Sequence, residues 1–213
     1  MKKLLFKTKN FLSENDIYNF GKNNKILILM FICLIIGMIV GSVSAGCINF
    51  ETLDRLNSVF LTDFKQRISQ SGAEVFVSSL SLYFIFALIL ELSAFAVWGI
   101  ISVPLLLVFK GIGMGLSGGY LYLVYGLKGI AFYILILVPG IFVSSIAFAF
   151  FGVSAFKSAV AISKKILPKP SDNALWPYVK SNIKKLGYCT LLLCFSAFLD
   201  MAFMMMFSGF FEF

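Results

Sequence analysis

One long segment constrains the fold of this chain more than any other feature. Between Val75 and Ser163 only four residues carry a charge, namely Glu91, Lys110, Lys128 and Lys157. The whole sequence is 60% apolar and 13% charged, which leaves too little polar surface for an ordinary soluble domain. We therefore predict an all-α, polytopic membrane protein whose 213 residues form a single transmembrane helical bundle.

Apolar runs of about 20 residues predict five membrane spans, because a helix of that length matches the hydrocarbon core of a bilayer. The predicted spans lie near residues 26–46, 77–98, 103–123, 130–151 and 187–207. Pro139 falls inside the fourth span, where it removes a backbone hydrogen bond and should kink or break the helix. A re-entrant half-crossing around the neighbouring glycines is an alternative that hydropathy leaves open.

Two lysine-rich segments predict the orientation of these spans. Residues 1–25 contain six lysines against two acidic residues, and residues 164–185 contain six lysines against one. Basic loops that flank apolar spans are typical of the cytoplasmic side. We therefore predict a cytoplasmic basic segment over 1–25 and a cytoplasmic basic loop over 164–186, which ends in a short basic helix over 178–186. The C-terminus is predicted outside the cell. This topology accounts for the net charge of +8, which does not indicate nucleic-acid binding.

The segment 49–74 is the substantial polar stretch predicted on the outer side. Its four acidic and three basic residues give a net charge near −1. Apolar residues recur in it at helical spacing and predict an amphipathic helix. The residues on that face are Leu53, Leu56, Phe60 and Phe64. The face lies on the bilayer or caps the bundle, and it is also the candidate binding surface for an extracytoplasmic partner.

Glycines at every fourth position predict close packing between helices. Gly111, Gly115 and Gly119 form a small-xxx-small pattern in the third span, and Gly37 and Gly41 form another in the first. Such patterns let two helix backbones approach closely inside a membrane. A phosphate-binding loop is the competing interpretation of a glycine-dense run, but it requires a preceding strand and a βαβ unit, which the sequence does not indicate.

Two charged residues inside the spans are candidate intramembrane polar sites. Glu91 falls in the second span, and Lys110 opens the glycine run of the third. A charged residue at the bilayer centre costs about 2.5–3.5 kcal/mol on insertion scales, so it is a functional candidate by default. Lys110 is the expected partner of Glu91, which serves either as polar glue between helices or as a proton or ion site. Asp200 is a weaker candidate because we expect it nearer the outer interface.

The residues that usually carry catalysis are scarce. The chain has no His, and its four cysteines show no metal-ligand spacing. The sequence Ser44-Ala45-Gly46-Cys47 resembles a lipoprotein cleavage box, but Ser44 stands where an aliphatic residue is usual, so we treat this segment as a retained span. We accordingly predict no enzymatic activity, no cofactor and no metal site.

Several short motifs point to a known family. They include the basic N-terminus, the Gly-x-x-x-Gly pair of the first span and the amphipathic outer segment. Three runs follow in the core: Phe-Lys-Gly-x-x-x-Gly over 109–115, Gly-x-Lys-Gly over 126–129 and Leu-Val-Pro over 137–139. In this layout the chain resembles the stage II sporulation protein M family over nearly its whole length, with a recognisable core at about residues 75–160. Gly140 is a departure, because that family often carries a polar residue after the proline.

The resemblance implies a non-catalytic membrane scaffold. Proteins like this one act with stage II sporulation proteins D and P, which degrade septal peptidoglycan during engulfment. The implied partners are those two proteins and the membrane lipids, and the implied location is a bacterial cell membrane at the sporulation septum. A different class stays open, in which the chain is the membrane subunit of an ABC-type or other small-molecule transporter. A role in another lipid or envelope process is a third alternative.

Overall fold

The computed structural model describes residues 24–47, 71–166 and 176–207, and the regular structure in these ranges is helical. The elements are α1 (Lys25–Cys47), α2 (Gly72–Ala94), α3 (Gly99–Phe132), a π-helical turn (Tyr133–Leu137), α4 (Val138–Ile166) and α5 (Trp176–Phe207). The all-α prediction is therefore confirmed for the described part of the chain.

Four helical stretches of the described chain are long and apolar enough to cross a membrane, which indicates a multi-pass membrane protein. They are Lys25–Cys47, Gly72–Ala94, Gly99–Ser163 and Asn182–Phe207. The third stretch has 65 residues, and a straight helix of that length would extend for about 100 Å, roughly three times the hydrocarbon thickness. It therefore has to turn back on itself.

The reversal lies at Gly126, whose φ of 59° is in the left-handed region. Glycine adopts this conformation without the steric cost that a side chain brings. The limbs before and after Gly126 run antiparallel. Tyr133 Oη donates to the carbonyl of Met114 at 2.9 Å, and further along the pair Leu107 lies against Gly152. Gly126 is thus the corner that folds one long apolar stretch into two adjacent limbs.

Pro139 does not break the helix that contains it. It follows the π-helical turn, in which the N–H of Val138 donates to the carbonyl of Tyr133 five residues earlier. Proline has no N–H to continue an α-helical ladder, and its ring crowds the carbonyl four residues back. The wider π turn accommodates that crowding. The break that the sequence allowed is therefore absent: the helix widens locally before Pro139, and α4 continues to Ile166.

The helices pack as a bundle, and the contacts between neighbouring helices show in which direction each pair runs. The first limb of α3 runs parallel to α1, because Gly37 lies against Gly111 and Gly41 lies against Leu116. Helices α2 and α5 run antiparallel, since the start of α2 at Gly72 meets Met205 near the end of α5. Tight side-chain packing fills the interior, with Leu90, Leu107, Phe132 and Phe148 among its fully buried residues.

Some predicted segments lie outside the described residues or change character within them. The N-terminal segment up to residue 23 is outside, and so is the outer segment up to residue 70, with the candidate partner-binding residues Leu53, Leu56, Phe60 and Phe64. The short basic helix predicted at the end of the segment 164–186 is confirmed. Helix α5 already begins at Trp176 and continues without interruption into the last apolar stretch.

Candidate functional site

A partly open cavity of about 200 Å³ lies between α2, α3 and α5 and combines charged, aromatic and hydroxyl groups. Its polar lining consists of Ser79, Tyr83, Lys110, Ser117 and Asp200. Charged residues in the interior of a membrane bundle generally mark a binding or conduction site, so this cavity is the candidate functional site.

Helix α2 supplies the wall of the cavity from its buried face. Ser79 and Tyr83 are four residues apart, so they lie one above the other on the same side of the helix. Tyr83 is the central residue of α2, which spans Gly72–Ala94. The cavity therefore lies midway along an apolar helix whose length matches the hydrocarbon core.

Lys110 enters the site from α3 and lies among three aromatic rings. Its Nζ is 4.8 Å from the ring centroid of Tyr83, 5.4 Å from that of Phe148 and 5.7 Å from that of Phe86. The negative faces of aromatic rings attract an ammonium group, by about 0.5–2 kcal/mol depending on how dry the site is. The rings thus offset part of the cost of placing a cation in the interior.

Asp200 enters the site from α5 and is 3% exposed. Its Oδ2 accepts a hydrogen bond of 2.9 Å from the hydroxyl of Tyr83. Its Oδ1 lies so close to Gly140 that a Cβ at this position would collide with it. Gly140 is therefore the position at which α4 makes room for the carboxylate of α5.

Tyr83 links the two charged groups of the cavity. Its ring lies under the Lys110 ammonium, and its hydroxyl donates to the Asp200 carboxylate. Because Lys110 and Asp200 carry opposite charges, the pair has no net charge, and this lowers the cost of burying the two groups in a bilayer. The same arrangement can bind a small dipolar solute, with its negative group toward Lys110 and its positive group toward Asp200.

The structure does not bring Glu91 to Lys110. Glu91 lies eight residues beyond Tyr83 on α2, which places it about 12 Å further along the helix axis. Its side chain is 7% exposed, and neither of its carboxylate oxygens accepts a hydrogen bond from a described residue. The expected pairing was wrong because it depends on the relative heights of two helices, which the presence of opposite charges does not determine.

The predicted glycines lie at the contact between α1 and α3. A Cβ at Gly37 would meet the carbonyl of Val108, one at Gly111 the carbonyl of Leu34, and one at Gly115 the carbonyl of Met38. Gly41 makes a similar approach to Ile112, and Gly119 approaches the side chain of Ala45. These glycines form a seam of backbone-to-backbone contact, which we call the glycine seam, and they do not line the cavity.

Sequence reasoning gave too little weight to three residues of the site. Asp200 was ranked as a weaker candidate, but it is buried and accepts a hydrogen bond from Tyr83, the central residue of α2. Tyr83 and Gly140 were not candidates. Tyr83 shares the buried face of α2 with Glu91 at a spacing of two four-residue steps, and this periodicity was the available signal. No pattern along the chain marks Gly140, because its role depends on a residue 60 positions away.

Within the ranges 24–47, 71–166 and 176–207, no group of three or more His, Cys, Asp or Glu side chains is arranged to hold a metal ion. The cysteines at positions 33, 47, 189 and 194 are free thiols. Comparison with known proteins identifies no relative: no family model matches the chain, and no curated protein or solved structure is detectably similar to it.

Proposed function

We propose that the chain crosses the membrane five times, with its N-terminus in the cytoplasm and its C-terminus outside. The reversal at Gly126 supports two crossings within the 65-residue apolar stretch. The lysines support the orientation. Lys25 begins α1, and Lys157 and Lys185 lie near the same end of the bundle, where α4 and α5 face each other. An excess of lysine at one end is typical of the cytoplasmic face.

Within that topology we propose a non-catalytic membrane scaffold, like the stage II sporulation protein M family that the sequence resembles. The observation that carries the proposal is the use of the motif glycines. Gly37, Gly41, Gly111 and Gly115 bring the backbones of α1 and α3 into contact. A motif used in helix packing holds spans in a fixed arrangement, which suits a protein that positions partners.

The proposed partners are peptidoglycan-degrading membrane proteins, namely stage II sporulation proteins D and P, at the sporulation septum of a bacterium. The outer segment 49–74 is the proposed contact surface. Its apolar residues Leu56, Phe60 and Phe64 share one face of the predicted helix. Large apolar side chains on an accessible helix face are the usual anchors of a protein–protein contact.

Co-purification from the native host during starvation tests this scaffold. The tagged chain, extracted in mild detergent, is expected to retain peptidoglycan-degrading membrane proteins, identified by mass spectrometry. Replacing Leu56, Phe60 and Phe64 by Ser should reduce their recovery at least about tenfold, because loss of anchor residues costs more than about 1 kcal/mol each. The matched control replaces Phe6, Phe11 and Phe20 by Ser in the segment predicted on the other side of the membrane. Equal recovery with both triple variants would contradict the proposal.

The cavity favours a second candidate, the membrane subunit of a small-molecule transporter. Lys110 belongs to the same motif as the seam glycines, yet it lines the cavity together with Asp200 at the level of the middle of α2. Substrate and ion sites of transporters lie near the bilayer midplane and use buried charges of this kind. A transporter of the ABC type would also co-purify with a cytoplasmic ATPase.

Proton flux into proteoliposomes distinguishes a scaffold from a transporter that moves protons through the buried acids, whereas co-purification of an ATPase identifies the ABC type. A transporter that moves protons by way of Asp200 and Glu91 should acidify the vesicle interior under an imposed membrane potential. A pH-sensitive dye inside the vesicles reports this change. Asp200→Asn and Glu91→Gln should then abolish the flux without unfolding the protein, whereas Glu74→Gln, an acid at the exposed start of α2, should not. A scaffold should give no flux above that of empty vesicles, and its Glu91→Gln variant should differ only in thermal stability.

A further inference from the structure

A second cavity lies between α4 and α5, away from the charged cavity. Its volume is about 310 Å³, and its lining is polar at one end and apolar at the other. The polar end is formed by Ser154, Lys157, Lys185 and Tyr188, and the apolar end by Phe150 and Leu192. The described residues that line it include two lysines and no acidic residue. The cavity therefore presents positive charge beside an apolar groove.

The antiparallel register of α4 and α5 aligns the two ends. Lys185 Nζ donates to Ser154 Oγ at 2.9 Å, and Cys189 Sγ lies 3.9 Å from the carbonyl of Ala147. Lys157 therefore lies at the same end as Lys185. Lys157 is seven residues from Phe150 on α4, and Lys185 is seven residues from Leu192 on α5. Each spacing separates the polar end of the cavity from its apolar end by about 10 Å along the helix axis.

A buried hydrogen-bond chain fixes Lys185 at the rim of the cavity. Ser154 Oγ accepts from Lys185 and donates to Asn182 Oδ1 at 3.0 Å, and Ser158 Oγ donates to the same oxygen at 3.0 Å. Ser154, Ser158 and Asn182 are all buried. An ammonium has three N–H donors, so the bond to Ser154 orients the group and leaves donors for an anion.

The polar end of the cavity lies at the level expected for lipid headgroups. In the sequence, Lys164 follows Lys157 within two helical turns and Lys184 directly precedes Lys185, so the apolar runs that contain these lysines end close to them, as at a membrane face. Tyr188 is 72% exposed beside them, and tyrosine is enriched at membrane–water interfaces. The apolar end points from there toward the middle of the helices.

We infer that this cavity binds an anionic phospholipid, with its phosphate between Lys157 and Lys185 and an acyl chain along Phe150 and Leu192. Basic pockets between membrane helices recognise acidic headgroups, and the apolar continuation selects a lipid over a soluble phosphate. The inference requires only that these helices lie in a membrane, and it does not depend on the scaffold or transporter assignment.

Native mass spectrometry of the full-length chain, released from neutral detergent, tests this site. The probes are phosphatidylglycerol and phosphatidylcholine with identical acyl chains. We expect preferential adducts with phosphatidylglycerol. Replacing both lysines by Gln (Lys157→Gln with Lys185→Gln) should weaken that binding about 10- to 30-fold, since each lysine near an acidic headgroup contributes about a factor of five. The matched control, Lys128→Gln with Lys184→Gln, removes the same charge outside the cavity and should bind normally.

Two further arms separate a lipid from other ligands. Leu192→Trp, which fills the apolar end while keeping both lysines, should also lower the affinity for phosphatidylglycerol. Glycerol 3-phosphate at millimolar concentration should not displace the lipid. Equal adducts with both lipids, equal losses in the cavity and control double variants, or displacement by glycerol 3-phosphate would each overturn the inference.

Discussion

At the scale of single residues, a charged pair lies in the interior of an apolar bundle. The rings around Lys110 and the hydroxyl of Tyr83 on Asp200 offset part of the cost of these charges. The sequence predicted Lys110 as an intramembrane site, because a lone lysine in a long apolar run is conspicuous. It did not predict Asp200 as its neighbour, since the two residues are 90 positions apart and meet only through the packing of four helices.

Gly140 provides a test of that packing at one residue. Gly140→Ala should lower stability by about 1–3 kcal/mol, because the new methyl group would collide with Asp200 Oδ1 and the backbone would have to shift. The loss should appear as a lower thermal unfolding temperature in detergent. Adding Asp200→Ala should relieve the collision, so the double variant should lose less than the sum of the two single losses.

The control for Gly140 is Gly187 on α5, where a Cβ would meet nothing within 4 Å. Gly187→Ala should be neutral or slightly stabilising, because alanine favours a helix by about 1 kcal/mol over glycine. If Gly140→Ala and Gly187→Ala had the same effect, the close approach of Asp200 to α4 would be contradicted.

At the scale of helices, the glycine seam between α1 and α3 was the feature that the sequence predicted most directly. Glycines spaced by four lie on one face of a helix, so the spacing alone predicted a smooth contact surface. The π-helical turn before Pro139 was not predicted from the sequence. Proline predicts that an α-helical ladder must change, but both a kink and a widened turn satisfy that requirement. The short basic helix predicted over 178–186 is confirmed, but it is the first part of a longer helix, because α5 begins at Trp176 and continues to Phe207.

Substitution in the glycine seam should separate packing from other roles of these residues. Gly115→Ala places a methyl group against the carbonyl of Met38 and 2.9 Å from the amide nitrogen of Ser42. Both neighbours are backbone atoms that cannot rotate away, so we expect a loss of about 1–3 kcal/mol in unfolding free energy. Gly46→Ala in α1 is the control, because a Cβ there would have open space around it. Stability equal to that of the control would contradict a backbone contact at Gly115.

At the scale of the whole molecule, the proposed topology depends on the reversal of the chain at one glycine and on the unequal distribution of lysines between the two ends of the bundle. Gly126 turns the longest apolar stretch back on itself, and the lysines Lys25, Lys157 and Lys185 lie toward the opposite end from that turn. The composition predicted a membrane bundle without any structural information. The number of crossings is harder to predict, because the sequence is almost continuously apolar from Val75 to Ser163. Both the proposed contact surface and the depth of the charged cavity depend on this topology.

Labelling of single cysteines in intact cells tests that topology most directly. The four native cysteines are replaced by Ser, and Leu127→Cys or Ile183→Cys is introduced at two exposed positions. A membrane-impermeant maleimide is expected to label position 127 in intact cells, and position 183 only after permeabilisation. Protection of position 127 in intact cells, or labelling of position 183 without permeabilisation, would contradict the five-span, N-in arrangement on which the functional proposals rest.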